Sequence, residues 1–208
     1  MEEHMFKMLD SVKGFLDEAE GRALYDTALK ASLNGPCLEI GSYCGKSAVY
    51  LGLACRRKGG VLFSVDHHRG SEEQQPGEEY FDPALYDYNV FAVDTLGAFR
   101  QTVSKAELED TVIPLVCRSA TAARKWSTAL SLVFIDGGHA FDTVIADYRA
   151  WSPHLIEGGY LLIHDIFENP TEGGQAPYQV YRMALDSGGY KEELRVKTLG
   201  ILKKITKQ

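Results

Sequence analysis

Acids, imidazoles and glycines recur in this chain at points where hydrophobic runs stop. Glu39 precedes Ile40-Gly41-Ser42, Asp66 is followed by His67 and His68, Asp136 by Gly137, Gly138 and His139, and His164 stands beside Asp165. Carboxylates accept hydrogen bonds and ligate cations, and an imidazole exchanges protons near neutral pH, so the set suits a polar ligand and a proton transfer. Gly41 and Gly45 frame a run that continues into Lys46 and Ser47. Glycine permits positive φ and puts no Cβ in the way of a ligand, while free amides at a helix start attract carboxylate or phosphate. Two common cradles fail on spacing. The dinucleotide pattern G-x-G-x-x-G needs a middle glycine that Ser42-Tyr43-Cys44 lacks, and a phosphate loop needs one more residue than separates Gly41 from Gly45.

These residues need elements to bring them together. Strand signals recur at Pro36 to Ser42, Val61 to Asp66, Val112 to Cys117, Leu130 to Asp136 and Tyr160 to Asp165, with helical stretches between them. Strand alternating with helix predicts an α/β fold with a parallel, doubly wound sheet, which brings the polar strand ends to one edge. Asp66, ending the second strand, is placed to accept both hydroxyls of a ribose. Phe141, Val144, Ile145, Tyr148 and Trp151 predict a helix from Phe141 to Trp151, stopped by Ser152-Pro153. Alternation along the fifth strand sends His164 and Asp165 to opposite faces unless the strand has already ended, so His164 reads as a satisfied core residue.

Met5, Leu9, Val12 and Leu16 predict one N-terminal helix, and Leu24, Ala28 and Leu29, after Glu20-Gly21, a second. This cover, residues 1–33, could face the sheet, a substrate mouth or the partner of a homodimer, with residues 34–208 forming the core of a single domain. From Arg69 to Asp82 the chain is polar and acidic, a long loop at the ligand-binding edge that is either a substrate lid or a solvated surface loop, and Pro83 then opens a helix. A helix through Tyr181 and Leu185 ends at Gly188-Gly189, and Leu194 to Ile205 reads as a hairpin around Leu199-Gly200.

At 208 residues, 45% hydrophobic and 25% charged, the chain has ample core for such a domain. A net charge of −7 argues against nucleic acid as partner. No run of about 18 apolar residues suggests a membrane span, and the acidic start Met1-Glu2-Glu3-His4 is unlike a secretion signal, so a cytoplasmic protein is expected. Cys37, Cys44, Cys55 and Cys117 lack metal-site spacing and read as thiols.

With these residues in order, Leu38-Glu39-Ile40-Gly41-Ser42 with Gly45 and Ser47, Val65-Asp66, Val133-Phe134-Ile135-Asp136-Gly137-Gly138-His139 and Gly158-Gly159, the chain resembles class I S-adenosylmethionine-dependent methyltransferases. It is most similar to their small bacterial O-methyltransferase branch, over Asn34 to Phe167. The resemblance implies a Rossmann-like, seven-stranded, mostly parallel sheet whose last strand is antiparallel, in agreement with the C-terminal hairpin. It implies S-adenosylmethionine as cofactor and a small-molecule acceptor, methylated on an oxygen. By position, Glu39, Gly41, Ser42 and Ser47 would line the methionine part and Asp66 would hold the ribose. His67 would flank the adenine, Ser119 and Ala120 would border it, and Asp136 would lie near the sulfonium.

Two departures from that branch matter. A lysine proposed there as base is replaced by His139, a reasonable base at neutral pH. The branch binds magnesium through the strand-four aspartate and an Asp-Asn pair, where this chain has Asp165-Ile166, and Ile166 cannot ligate. Asp136, His139 and Asp165 could still hold a divalent metal, one softer than magnesium. Tyr80, Phe81 and Trp126 are candidate aromatic contacts, with core burial the simpler reading for Trp126. The alternative function is a regulatory or assembly protein that binds S-adenosylmethionine without catalysis.

Overall fold

The computed structural model describes residues 6–206. Helix α1 (Glu18–Ala31) leads into β1 (Cys37–Ile40), α2 (Lys46–Arg57) and β2 (Leu62–Asp66). The chain continues through a two-residue pair, β3 (Tyr86–Asp87) with β4 (Ala92–Val93), to α3 (Leu96–Lys105), β5 (Val112–Val116), α4 (Ser119–Ala123) and β6 (Leu130–Ile135). It closes with α5 (Phe141–Trp151), β7 (Leu155–Ile163), α6 (Ala176–Asp186), β8 (Tyr190–Val196) and β9 (Leu199–Lys204). The main sheet has seven strands in the order β5-β2-β1-β6-β7-β9-β8. The first five run parallel, and β9 lies antiparallel between β7 and β8, so the last strand is indeed the reversed one.

Alternation along the central strands divides the core. Leu132 and Phe134 of β6 face α1, α2 and α3 with Leu24, Leu51 and Phe99, whereas Val133 and Ile135 face α5 and α6 with Ile145, Trp151 and Val180. Leu38 and Ile40 share the second face, which sends Glu39 toward α2. Because β1 leaves the sheet between β2 and β6, where the strand order reverses, the glycine turn stands at a topological switch point.

Several expectations need correction. The first N-terminal helix is shorter than its apolar spacing implies: residues 6–8 are helical, a 3-10 turn spans Leu9–Ser11, and Val12 is already extended. Met5 lies outside the described residues. The second begins earlier, at Glu18, because Asp17 and Glu20 form a capping box, and Gly21 sits inside it where any Cβ would strike the Tyr50 ring at 2.3 Å. Pro83 opens only a 3-10 turn, Pro83–Leu85, and the true helix starts at Leu96. The C-terminal hairpin turns at Lys197-Thr198, with Lys197 at φ 49, rather than at Leu199-Gly200, which already belong to β9. Phe141 is 42% exposed at the tip of α5, off the buried stripe its spacing suggested. Trp126 packs edge-on against Phe63 and Trp151, as the core reading expected.

Candidate active site

A cleft of about 440 Å³ opens at the carboxyl ends of β1, β2, β6 and β7. Its floor is the turn after β1. Gly41 has φ +89, and a Cβ there would lie 2.1 Å from the Asp136 carbonyl oxygen, so only glycine lets β1 and β6 release their ends side by side. Asp66 fixes the turn from β2: one carboxylate oxygen accepts the amides of Ser42 and Tyr43 at 2.9 and 2.8 Å, and the other accepts the His68 amide at 2.7 Å. Gly41, Ser42, Ser47, Asp66 and His67 all line the cleft.

Glu39 does not. It is fully buried beneath the turn, where its two oxygens accept from Ser64 Oγ at 2.6 Å and Ser47 Oγ at 2.8 Å. Ser42 Oγ lies 2.5 Å from Ser64 Oγ, so Ser42 presents its backbone to the cleft while its hydroxyl joins this buried chain. Burial pushes the Glu39 carboxyl up to about 7, against the two serine bonds, with Asp136 and Asp66 adding repulsion. The unfolded chain ionises this group near its ordinary 4.5, so between there and pH 7 the unfolded state releases a proton that the folded state keeps. Stability therefore falls as pH rises through that window, by about 3 kcal/mol in all. Glu39→Gln, which cannot ionise, should match wild type at pH 4.5 and exceed it at pH 8. Calorimetric unfolding at the two pH values measures the difference, and an unchanged pH slope in the variant would contradict the assignment.

Ser119 and Ala120 also lie outside the lining. Ser119 Oγ accepts the Trp151 indole N–H at 2.7 Å, which turns the hydroxyl inward toward α5, and Ala120 is exposed.

At the other wall stand the residues able to do proton chemistry. Asp136 follows β6, His139 lies in the loop before α5, and His164 and Asp165 follow β7. β7 ends at Ile163 and Asp165 adopts φ 57, so alternation fails between His164 and Asp165, and both side chains turn into the same space. His164 is thus a member of the site as well as a buried residue. Its Nδ1 lies 3.1 Å from Asp136 and 3.3 Å from Asp165, and its Nε2 3.0 Å from Glu20. Burial opposes charge on His164, but these three carboxylates override it and hold its pKa far above the ordinary value. Burial likewise pushes Asp165 up, and the two imidazoles outweigh it to hold that carboxyl well below the usual range.

His139 is clamped between acids. Its Nε2 is 2.8 Å from Asp165 and its Nδ1 2.9 Å from Glu73 in the acidic loop. The bond to Asp165, helped by Glu73 and opposed by burial, pushes its pKa up to about 9. Ligand atoms of Asp136, His139 and Asp165 lie within 4.8 Å of one another, a donor set that fits a divalent cation.

The loop from Arg69 to Asp82 forms one side of the cleft through Gly70, Ser71, Glu73 and Tyr80, with a 3-10 turn over Glu72–Gln74. It meets the N-terminal segment, where Lys13 pairs with Asp82 and the exposed Phe15 packs edge-on against Tyr80 at 5.1 Å. Phe81 points away, toward Tyr86. Sequence reasoning singled out neither Glu20 nor Glu73 nor Phe15. Glu20 carried one usable signal: an acid within the apolar spacing of a helix, destined for burial and so for a partner.

A family model described as a methyltransferase domain matches residues 38–166. Among solved structures, the S-adenosylhomocysteine-bound methyltransferase of Podospora anserina aligns at TM-score 0.69 and 14% identity, covering 98% of this chain and 87% of that one. The O-methyltransferase TomG of Streptomyces achromogenes, solved with S-adenosylmethionine, aligns at 0.64 and 15%, again covering 98% and 87%. The O-methyltransferase of Bacillus cereus, in complex with S-adenosylhomocysteine, aligns at 0.61 and 13%, covering 97% and 90%. These likenesses concern the fold, while the family match spans the glycine turn, Asp66, Asp136, His139 and Asp165. The chain belongs to the methyltransferase domain family.

Proposed function

We propose that this methyltransferase moves the methyl group of S-adenosylmethionine to an oxygen of a small molecule. The observation that carries the reading is the pairing, across one cleft, of a glycine turn pinned by Asp66 with the group Asp136, His139 and Asp165. The methionine part of the donor would lie over Gly41 to Ser47, its ribose toward Asp66, its adenine beside His67 and its sulfonium toward Asp136. Ser119 and Ala120 are left outside this arrangement. Methyl transfer asks the protein to align acceptor and methyl group and to remove the acceptor's proton. His139 is the group that takes the proton, and Asp165 then stabilises the imidazolium formed.

A second reading of the same three side chains is favoured by their spacing. Asp136, His139 and Asp165 would hold a divalent ion, making His139 a ligand instead of a base. Such an ion, when bound, polarises an acceptor oxygen and eases its deprotonation.

Titration with S-adenosylhomocysteine tests the donor assignment. Wild type should bind, and Asp66→Ala should weaken binding about ten- to hundredfold, the worth of one charge-assisted hydrogen bond to a ribose hydroxyl from the lone pair that its three amide partners leave open. Absence of binding by wild type, or an Asp66→Ala variant that binds like it, sinks the assignment.

A further inference from the structure

Helix α1 reaches the reacting edge of the sheet through one buried carboxylate. Glu20 is 2% exposed, and every bond it makes has a direction. One oxygen accepts the Thr198 amide at 2.9 Å and the Thr198 hydroxyl at 2.7 Å, which ties α1 to the turn between β8 and β9. The other lies 3.0 Å from His164 Nε2 and 3.3 Å from the Asp17 amide. The opposite ring nitrogen of His164 faces Asp136 and Asp165 together. Alternation explains the meeting: Leu162 faces α1, so His164 two residues later does too, and Asp136 follows Phe134 on that same side.

Two carboxylates that converge on one point repel each other and splay unless a donor holds them. His164 Nδ1–H is the donor shared by Asp136 and Asp165, and its ring is steered from behind by Glu20. With an acceptor at each ring nitrogen, the imidazole has one orientation that leaves no buried N–H or carboxylate unpaired. We propose that Glu20 is a positioning residue, acting through His164 to set the spacing of the Asp136 and Asp165 carboxylates at the reaction centre. Residues outside the family match, in α1 and the β8–β9 turn, thereby become part of what organises the site. The inference rests on the methyl-transfer reading only for why that spacing matters.

Glu20→Gln tests it, because the amide oxygen can still accept from Thr198 while the amide group confronts His164 Nε2 with a second donor. The readouts are the separation of the Asp136 and Asp165 carboxylates and the split between donor affinity and turnover. In crystals of the S-adenosylhomocysteine complex, Asp136 and Asp165 should stand about 1 Å or more further apart in the variant, a looseness sufficient to disable a site. Donor affinity should stay within about twofold of wild type, and turnover should drop about ten- to hundredfold, as for other residues that orient a site through a neighbour. Thr198→Val separates positioning from mere stability: it should lower the melting temperature while leaving the carboxylate spacing unchanged. If Glu20→Gln fails to fold, Glu20→Asp, whose charge is drawn back by one methylene, should widen the same gap. A folded Glu20 variant with the wild-type carboxylate spacing overturns the inference. Failure of wild type to bind S-adenosylhomocysteine would instead count against the methyl-transfer reading, with the carboxylate spacing in crystals of the free protein still deciding the role of Glu20.

Discussion

Gly41→Ala should yield a protein with a melting temperature lower by about 6–12 °C and no measurable affinity for the methyl donor, because two costs fall on one methyl group. The first is conformational: φ +89 is foreign to an L side chain, and holding alanine there costs about 1–3 kcal/mol. The second is steric, since the new Cβ would meet the Asp136 carbonyl oxygen at 2.1 Å and the Gly137 Cα at 2.6 Å. Both contacts are backbone, so no side chain can swing away. Relief requires β1 and β6 to part where Asp136 N–H donates to the Ile40 carbonyl at 2.9 Å, which carries Asp136 out of register with His164 and Asp165. Gly59→Ala is the matched control. Gly59 also has positive φ, +70, but a Cβ there meets nothing within 4 Å, so that variant should lose about 1 kcal/mol and keep donor binding. Equal melting temperatures for the two variants, with donor affinity intact in both, would refute the steric argument.

The same turn illustrates what a sequence can disclose. Gly41 and Gly45 were legible because glycine at a strand end has a backbone meaning, and the parallel sheet followed from strand–helix alternation, which is local. Glu39 was misjudged although its neighbours held the answer: Leu38 and Ile40 face α5 and α6, so Glu39 had to face α2 and the serines beneath the turn. His164 and Asp165 were separable only on the premise that the strand continued, and a single residue at φ 57 removed the premise. Glu20 and Glu73 reach the site across 144 and 66 residues respectively, by packing of α1 on the sheet and by the fold of the acidic loop. No spacing rule spans such distances. The β3–β4 pair escaped notice because two-residue strands have no period to read.

Replacing His139 by alanine should lower turnover about 10²–10⁴-fold while leaving S-adenosylhomocysteine affinity unchanged, with turnover read as S-adenosylhomocysteine formed over a panel of small phenols and alcohols. The imidazole's partners are Glu73 and Asp165, neither of them in the turn that would hold the donor, so donor binding should survive its loss. Its two carboxylate partners give the wild-type reaction a pH signature. A base must first be unprotonated, and with a pKa of about 9 only a small fraction of His139 is neutral at pH 7. Activity should therefore climb about tenfold per unit of pH until it levels near 9. Glu73→Gln removes the weaker of the two carboxylate contacts and should move that plateau to lower pH without abolishing it. Dialysis against a chelator decides which role the nitrogen plays. Undiminished activity fits proton transfer to His139, whereas activity lost and then restored by Mn(II) fits a bound ion. In that case the pH profile would follow proton release on metal binding and no longer the free imidazole. Wild-type turnover in His139→Ala, with or without added ion, would remove this residue from both readings.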